Sequence, residues 1–513
     1  MTTKTLRDNS STRWMMLILL SGLTFATYWF QDFFGGLKGL LFDEYGFTSE
    51  NFGRLISLTT LANLFGMIII GGIMLDKWGI RIAGFVFGGL AAAGGLVVYI
   101  ASLGVFGEDT GTRLWAMIIG RVMFGSGLEV VCVVATRTIV KWFKGYELAL
   151  AMAINMGFGR LGSAMGIAVS PDIAGGATST AVGFAASLIG IAFIMFLIYS
   201  FFDVKIDKQM ASNTSSSAED EFKFSDLVKL IKNNTFIYIM LLCVAFYAAV
   251  FPFIQYAADL LVNKFGFTSQ LPEEAVILIN GSSSLGTAVM YIALFIFAIC
   301  FSVVPPRIKQ KSGKIISRVV ILSAFALFIF VFKDTFALWL KNGPKTASLI
   351  PLGSIIFTPI FGSYVDKKGK AASLMILGSL LLIFAHISLS VFNNVILGYV
   401  GLLSLGVAFS LVPASMWPSV AKIVPENRLG TAYAFMFTIQ NWGLAAFFWG
   451  IGAVLDLVNK NKLEAIKSGN EVYDYTIPIL MLVLCGVISI FLAYKLKQAD
   501  KKYGYGLEQP NIK

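Results

Sequence analysis

Three charged residues stand in apolar sequence where charge is costly: Arg121 and Glu129 in GRVMFGSGLEVV (residues 120–131), and Arg160 in GFGRLGS (157–163). A charge at mid-bilayer costs roughly 2.5–3.5 kcal/mol on insertion scales, so such residues mark functional positions with a partner. An acid and a guanidinium are the two groups that a zwitterionic ligand needs. Stripped of water in a low-dielectric cavity, its ammonium and its carboxylate each require an opposite charge. Glu129 suits the ammonium. Arg160 suits the carboxylate, because a guanidinium binds both oxygens at once. A second reading stays open, in which Glu129 and Arg160 pair with each other and pin two helices together. Arg121 is open in the same way, between ligand contact and a structural partner near Tyr28, Gln31 and Asp32.

These side chains need a membrane around them, and the composition provides for one. Of 513 residues, 57% are hydrophobic and 13% are charged, with a mean hydropathy of +0.78; a soluble domain carries about 25% charged residues. Fourteen apolar runs are each long enough to cross ~30 Å of hydrocarbon. They cover 14–35, 52–75, 81–104, 113–139, 147–170, 178–202, 235–261, 284–306, 315–340, 346–366, 371–392, 394–418, 429–455 and 475–496. An all-α membrane protein is expected. The net charge of +11 does not mark a nucleic-acid binder, because the basic residues gather in alternate loops. With the N-terminus inside, 28 of the 40 Lys and Arg fall on the cytoplasmic side and 10 outside, so both termini are expected in the cytoplasm. The remaining two are Arg121 and Arg160. The four cysteines lie inside apolar runs without metal spacing and are expected to be buried small hydrophobes; no metal or cofactor is implied.

The runs place the charges at one depth. The fourth run descends to Arg137, eight residues after Glu129, or about 12 Å at ~1.5 Å per residue. The fifth rises from Glu147, thirteen residues before Arg160, or about 20 Å. Both side chains then lie near the midplane, roughly 8 Å apart in level.

GIMLDKWGIR from Gly72 and GSYVDKKGKA from Gly362 repeat Gly-x-x-x-Asp-x-x-Gly between two runs, which predicts two related halves. Residues 1–203 are expected to form a six-helix bundle. Residues 204–234 are expected to be a cytoplasmic linker, disordered at first and ending in a short amphipathic helix within FSDLVKLIKNN (224–234). Residues 235–513 are expected to form a second six-helix bundle with an inserted two-helix hairpin at about 271–345, packed on its lipid side.

Gly72, Asp76, Gly79 and Arg81 match the signature loop of the major facilitator superfamily. Arg121, Gly125 and Gly127 match its Arg-x-x-x-Gly-x-Gly pattern. The chain resembles a twelve-helix major facilitator with an extra hairpin. Longer stretches are similar to the branch that holds the lysosomal dipeptide transporters: WFKGYELALAMAINMGFGRLGS (142–163), MWPSVAKIVPENRLGTAYAFMFTIQNWGLA (416–445) and shorter runs around 249–255, 264–270 and 364–370. The resemblance implies passage of dipeptides by rocker-switch alternating access. It matches Glu129 to the acid of the family's helix four and Arg160 to the arginine of its helix five. It also gives the loops a gating role, with Asp76 and Arg81 making and releasing contacts at the cytoplasmic ends and Asp366 as their counterpart. With Glu129 occupied by substrate no separate proton carrier stands out, so a uniporter is expected ahead of a proton symporter. The N-terminus lacks the acidic dileucine signal of the lysosomal members, and a bacterial plasma membrane is the expected address. A monomer is expected. The family's animal members work with a single-span partner, and an accessory subunit stays open here.

Further candidate contacts are Tyr28 on the first run, Gln255 and Tyr256 beside Pro252, Trp417 and its neighbour Pro418, and Gln440 and Asn441. Interhelical packing would explain any one of them equally well. GFGRLG (157–162) fits a dinucleotide pattern but lies inside a membrane run, where close helix packing explains it. His386, the single histidine, is expected to be a packed polar residue ahead of a proton switch. No nucleotide-binding loop and no nucleophile–base pair appears, so neither ATP drive nor an enzyme is expected. Two other functions remain: a proton-coupled carrier of another small zwitterion or organic anion, and a receptor or scaffold that does not transport.

Overall fold

The computed structural model describes residues 6–210 and 224–510. The linker residues 211–223, where disorder is expected, and the side chains at 76, 149, 210, 224–226 and 427 lie outside the described residues. α1 (Ser10–Asp32) starts where the Asn9 side chain accepts from the N–H groups of Ser11 and Thr12, satisfying donors that a helix start leaves open. α2 (Lys38–Tyr45) follows. The next crossing is broken into α3 (Ser49–Ser57), a 3-10 turn at Leu58–Thr60, α4 (Leu61–Leu64) and the start of α5 (Met67–Ser102). It bends by 52° at Gly66, whose φ of +79° suits a residue without a Cβ.

Long helices then alternate with short connections: α6 (Thr110–Phe143), α7 (Leu148–Ala174) and α8 (Thr178–Met210). α8 runs on past 203, into the stretch expected as linker. The short helix expected before the second half is present as α9 (Phe224–Ile231), which packs on α10 (Asn234–Phe265). α11 (Ser283–Arg307), α12 (Lys311–Val331), α13 (Lys333–Trp339) and α14 (Gly343–Ala347) follow. The chain closes with α15 (Leu349–Lys368), α16 (Ala371–Ser390), α17 (Val395–Ile423), α18 (Leu429–Val458), α19 (Leu463–Lys467) and α20 (Thr476–Tyr503).

Among the described residues there is no β-strand, only two isolated bridges. Twelve helices are long and apolar enough to cross a membrane, thirteen if the bent pair counts as one span. That is fewer than the fourteen expected: α7, whose apolar run is interrupted by Asn155 and Arg160, is not among them. The expected run 315–340 is two helices, because α12 ends at Val331 and α13 begins at Lys333, with Phe332 capping both.

The repeated loop has a structural counterpart. Gly79 breaks α5 at φ +75°, ψ 172°, and Gly369 ends α15 at φ +71°, ψ −132°. Both conformations belong to glycine. α1 packs on α7 and α8, and α5 on α6 and α8; after the linker, α10 packs on α18 and α20, and α16 on α17 and α20. The two sets meet where α3 packs on α18, and where α11 and α15 pack on α7. α12 touches α11 but buries none of its residues.

Candidate functional site

α7 is positioned by its small residues. A Cβ added at Gly162 would collide with the Phe25 carbonyl oxygen, and one at Gly159 would sit 3.1 Å from the Tyr28 ring. Both glycines let α1 lie close, as small residues do in membrane packing. Asn155 strengthens the seam by accepting from the Thr24 hydroxyl at 2.9 Å. Arg160 lies between these glycines in sequence and lines a cavity of about 470 Å³ enclosed by α1, α6 and α7 on one side and α10, α15, α17 and α18 on the other. That volume lies within the ~300–1,000 Å³ range of small-molecule sites.

Glu129 of α6 lines the same cavity. Among the described residues it makes no hydrogen bond or ion pair, and it is not paired with Arg160. Arg160 stacks instead over Phe409 of α17, its Cζ 4.3 Å from the ring centroid, so a guanidinium before the linker rests on a ring after it. Tyr28, Trp417, Gln440 and Asn441 also line the cavity. Trp417 is held on three sides. Its Nε1 donates to the Tyr247 hydroxyl at 3.0 Å, its carbonyl accepts from Tyr433 at 3.1 Å, and its ring stacks on Phe437 at 4.8 Å. Gln440 Oε1 faces the Cys243 thiol at 3.3 Å, and Asn441 Nδ2 donates to the Phe437 carbonyl at 2.9 Å. Each amide therefore keeps free hydrogen-bonding capacity for a ligand.

Three of the expected ligand contacts stand outside the lining. Arg121 is fully buried and holds α6 to the end of α1. Its Nε donates to Thr59 Oγ1 at 2.8 Å, Nη1 to the Phe30 carbonyl at 2.6 Å and Nη2 to the Gln31 carbonyl at 3.2 Å, among the rings of Phe30, Phe34 and Phe124. Tyr256 is buried and donates to the Phe448 carbonyl at 2.9 Å. Gln255 stands behind the lining and donates to Asp32 Oδ1 at 2.6 Å. His386 is also buried away from the cavity, against Phe253 and the Leu382 carbonyl.

Sequence reasoning undervalued Asp32. Its carboxylate lines the cavity and accepts from Gln255 of α10 and from Ser163 of α7. Among the described residues it makes no ion pair, although the Arg121 and Arg160 guanidinium groups are near enough to act on it electrostatically. The end position in α1 hid it, since the helix stops where its carboxylate turns inward. The bend in the second crossing likewise brings Thr59, Thr60 and Asn63 to the wall. Of the gating candidates, Arg81 reaches Asp207 at 3.2 Å and Asp203 at 3.7 Å on α8, where Lys141 also binds both. Asp366 sits one turn before Gly369 at the end of α15. The side chain of Asp76 lies outside the described residues.

On the side away from the signature loops, three polar contacts join segments before and after the linker. Lys345 binds Asp172 at 2.7 Å and Lys38 binds Asp259 at 2.8 Å. Asp456 accepts from the N–H groups of Ser49 at 3.1 Å and Glu50 at 2.7 Å, at the start of α3.

An all-helical chain with a repeated signature loop and a central cavity walled by both halves has the architecture of a multi-pass membrane transporter. The Major Facilitator Superfamily model matches residues 20–343, more than half of the chain, and the chain belongs to that superfamily. It is 26% identical over 493 residues to the lysosomal dipeptide transporter MFSD1 of Danio rerio, covering 94% of this chain and 87% of that one. Against the Homo sapiens protein of the same name, identity is 24% over 505 residues, covering 96% and 88%. The crystal structure of the nucleoside transporter NupG superimposes with a TM-score of 0.59 at 14% identity, covering 95% of this chain and 99% of that one; at that identity the likeness is one of fold. The sequence relatives are lysosomal by name, which leaves the bacterial plasma-membrane address without support.

Proposed function

We propose that the protein is a dipeptide uniporter working by rocker-switch alternating access. One observation carries the reading: Glu129 and Arg160 line one cavity, of opposite charge, and neither is spent on an ion pair among the described residues. Glu129 takes the ammonium and Arg160 the carboxylate, while the Trp417 ring and the amides of Gln440 and Asn441 hold the middle of the ligand. Binding through the two ends admits dipeptides of many compositions. The near full-length similarity to proteins named as dipeptide transporters supports the substrate class.

In this reading the chain has two six-helix bundles, a hairpin of α11 and α12 inserted in the second, and both termini with the signature loops in the cytoplasm. The contacts through Asp172, Asp259 and Asp456 then clamp the outer side, and the arrangement faces inward. The protein acts as a monomer. Counterflow in proteoliposomes tests the function: labelled dipeptide should exchange against unlabelled dipeptide and not against free amino acids or sugars. Arg160→Lys and Glu129→Gln should insert and fold but lose dipeptide uptake. Full uptake by both variants would overturn the assignment.

Asp32 favours a second reading, a proton-coupled symporter. A cavity carboxylate bonded to both halves, and not committed to an ion pair among the described residues, is placed to take up a proton. Acidification of the vesicle lumen driven by an inward dipeptide gradient would select the symporter, and its absence the uniporter.

A further inference from the structure

α11 is more than a lipid-side addition. It stands in the seam between α7 and α15, touching both. Phe295 meets Phe158 of α7 edge-on at 5.1 Å. Gly157 makes room for it, since an added Cβ would sit 3.2 Å from Phe295 and 3.3 Å from Ile299. One turn further on, Ile299, Ser302 and Val303 reach the cavity itself, opposite Met156 of α7 and Thr358 and Pro359 of α15. The other face of the helix points away, with Ile296 55% exposed. The Ser302 hydroxyl is buried at this wall without a hydrogen-bond partner. A transporter cavity closed by seam helices alone would not have this wall. Here an added helix supplies part of the lining.

Resting on the dipeptide reading, we infer that Ile299, Ser302 and Val303 form the subsite for the side chain of the dipeptide's C-terminal residue, and that it prefers aliphatic side chains. The placement follows from α7. Met156 and Gly157 lie four and three residues before Arg160, on one helical face. A carboxylate held by Arg160 therefore sets the adjoining Cα beside the α11 wall. The N-terminal residue is held at Glu129, on α6 and not on the α7 face that meets α11. The wall is apolar apart from Ser302, so it gains from burying branched carbons, at about 0.8 kcal/mol per CH₂.

Competition against labelled dipeptide uptake in proteoliposomes tests this. Ile299→Trp and Val303→Trp fill the subsite. Each should weaken Ala-Leu about ten-fold or more, the equivalent of ~1.4 kcal/mol, while Gly-Gly and Leu-Ala change little. Ile296→Trp, on the outward face, should change none of them. Equal losses for Ala-Leu and Leu-Ala, or no loss, would overturn the subsite. If wild type responds to no dipeptide, the dipeptide reading falls and the subsite with it; if wild type responds and only the variants fail to discriminate, the subsite alone falls. Should the bulky variants not fold, Val303→Cys in a Cys132→Ala background replaces them. Ala-Leu should shield it from a thiol reagent, read by mass spectrometry, and Leu-Ala should shield it less. Equal shielding, or none, would overturn the inference.

Discussion

Lys345 Nζ lies 2.7 Å from Asp172 Oδ2, with both side chains almost wholly buried, and the pair ties α14 to α7 across the two halves of the chain. The Ala168 carbonyl also accepts from Lys345, and the Thr287 hydroxyl of α11 donates to Asp172 at 2.9 Å. The clamp thus holds α11 as well as α14. Breaking a buried pair from one side costs roughly 3–5 kcal/mol, because the other charge is left uncompensated. Lys345→Met should therefore lower the thermal midpoint clearly. Lys345→Met with Asp172→Leu should recover most of the loss, since an apolar replacement of both partners is often neutral. Thermal unfolding in detergent checks both. A double variant no more stable than the single one would show that the pair's charges are not what couples the halves.

Arg121 and Arg160 should separate stability from transport. Arg121 spends its donors on Thr59 and on the Phe30 and Gln31 carbonyls. A lysine has no fork to reach all three, and each buried acceptor left open costs about 1–3 kcal/mol. Arg121→Lys should lower the thermal midpoint while the surviving protein keeps its KM for dipeptide within about a factor of two, well under 1 kcal/mol. Arg160→Lys should do the reverse: a midpoint within a few degrees of wild type, and uptake reduced more than about ten-fold. Midpoint and KM measured on both variants give the comparison.

How much of this could be read beforehand depended on whether the signal was local. Glu129 and Arg160 announce themselves, because charge inside an apolar run has few explanations. The signature loops are legible for the same reason, and Gly79 and Gly369 share a positive φ with a near-extended ψ. What sequence could not show was the direction of each side chain about its helix. Arg121 has the same credentials as Arg160 in sequence, yet it turns into the α1–α6 seam, while Asp32, at a helix end, turns into the cavity. The bend at Gly66 and the wall built by α11 depend on contacts between distant parts of the chain, which leave no periodic trace.

Ligand chemistry tests the two charges without relying on folding of variants alone. N-acetylation of a dipeptide removes the ammonium that Glu129 is proposed to hold, and amidation removes the carboxylate proposed for Arg160. Each should weaken competition by wild type about ten-fold or more, or ~1.4 kcal/mol. In Glu129→Gln the acetyl penalty should largely vanish while the amide penalty persists, because only the first interaction has been removed. Competition curves for the three ligands on both proteins complete the cycle. Equal acetyl penalties in the two proteins would detach Glu129 from the ammonium.

Asp32→Asn tests the energetics. Asn at this position keeps one oxygen to accept from Gln255 and places an amide NH₂ where it can donate to the Ser163 hydroxyl, but it has no titrating proton to move. For a uniporter, Asp32→Asn should retain downhill dipeptide flux within about a factor of three, below 1 kcal/mol, and neither protein should acidify vesicles when dipeptide enters. A fluorescent pH reporter in the lumen makes the measurement. Acidification by wild type that disappears in Asp32→Asn, with counterflow preserved, would replace uniport with proton symport.

The two signature glycines should differ in cost. Both sit at positive φ, where a residue with a Cβ is strained by roughly 1–3 kcal/mol. At Gly79 an added Cβ would meet nothing within 4 Å, so Gly79→Ala carries that strain alone. At Gly369 the Cβ would also collide with the backbone of Gln509 and approach the Glu508 carbonyl. That tail is pinned by Lys370 N–H donating to the Glu508 carbonyl at 3.1 Å and by Ser373 donating from N–H and hydroxyl to the Glu508 carboxylate at 2.9 and 2.7 Å. Gly369→Ala must displace this segment as well and should lower the thermal midpoint more than Gly79→Ala. Removing the tail by ending the chain before Tyr505 should erase the difference between the two substitutions, since the collision goes with it. Midpoints of the two alanine variants, in full-length and shortened chains, measure the strain and the collision separately; an undiminished gap in the shortened chains would place the cost in the loop itself.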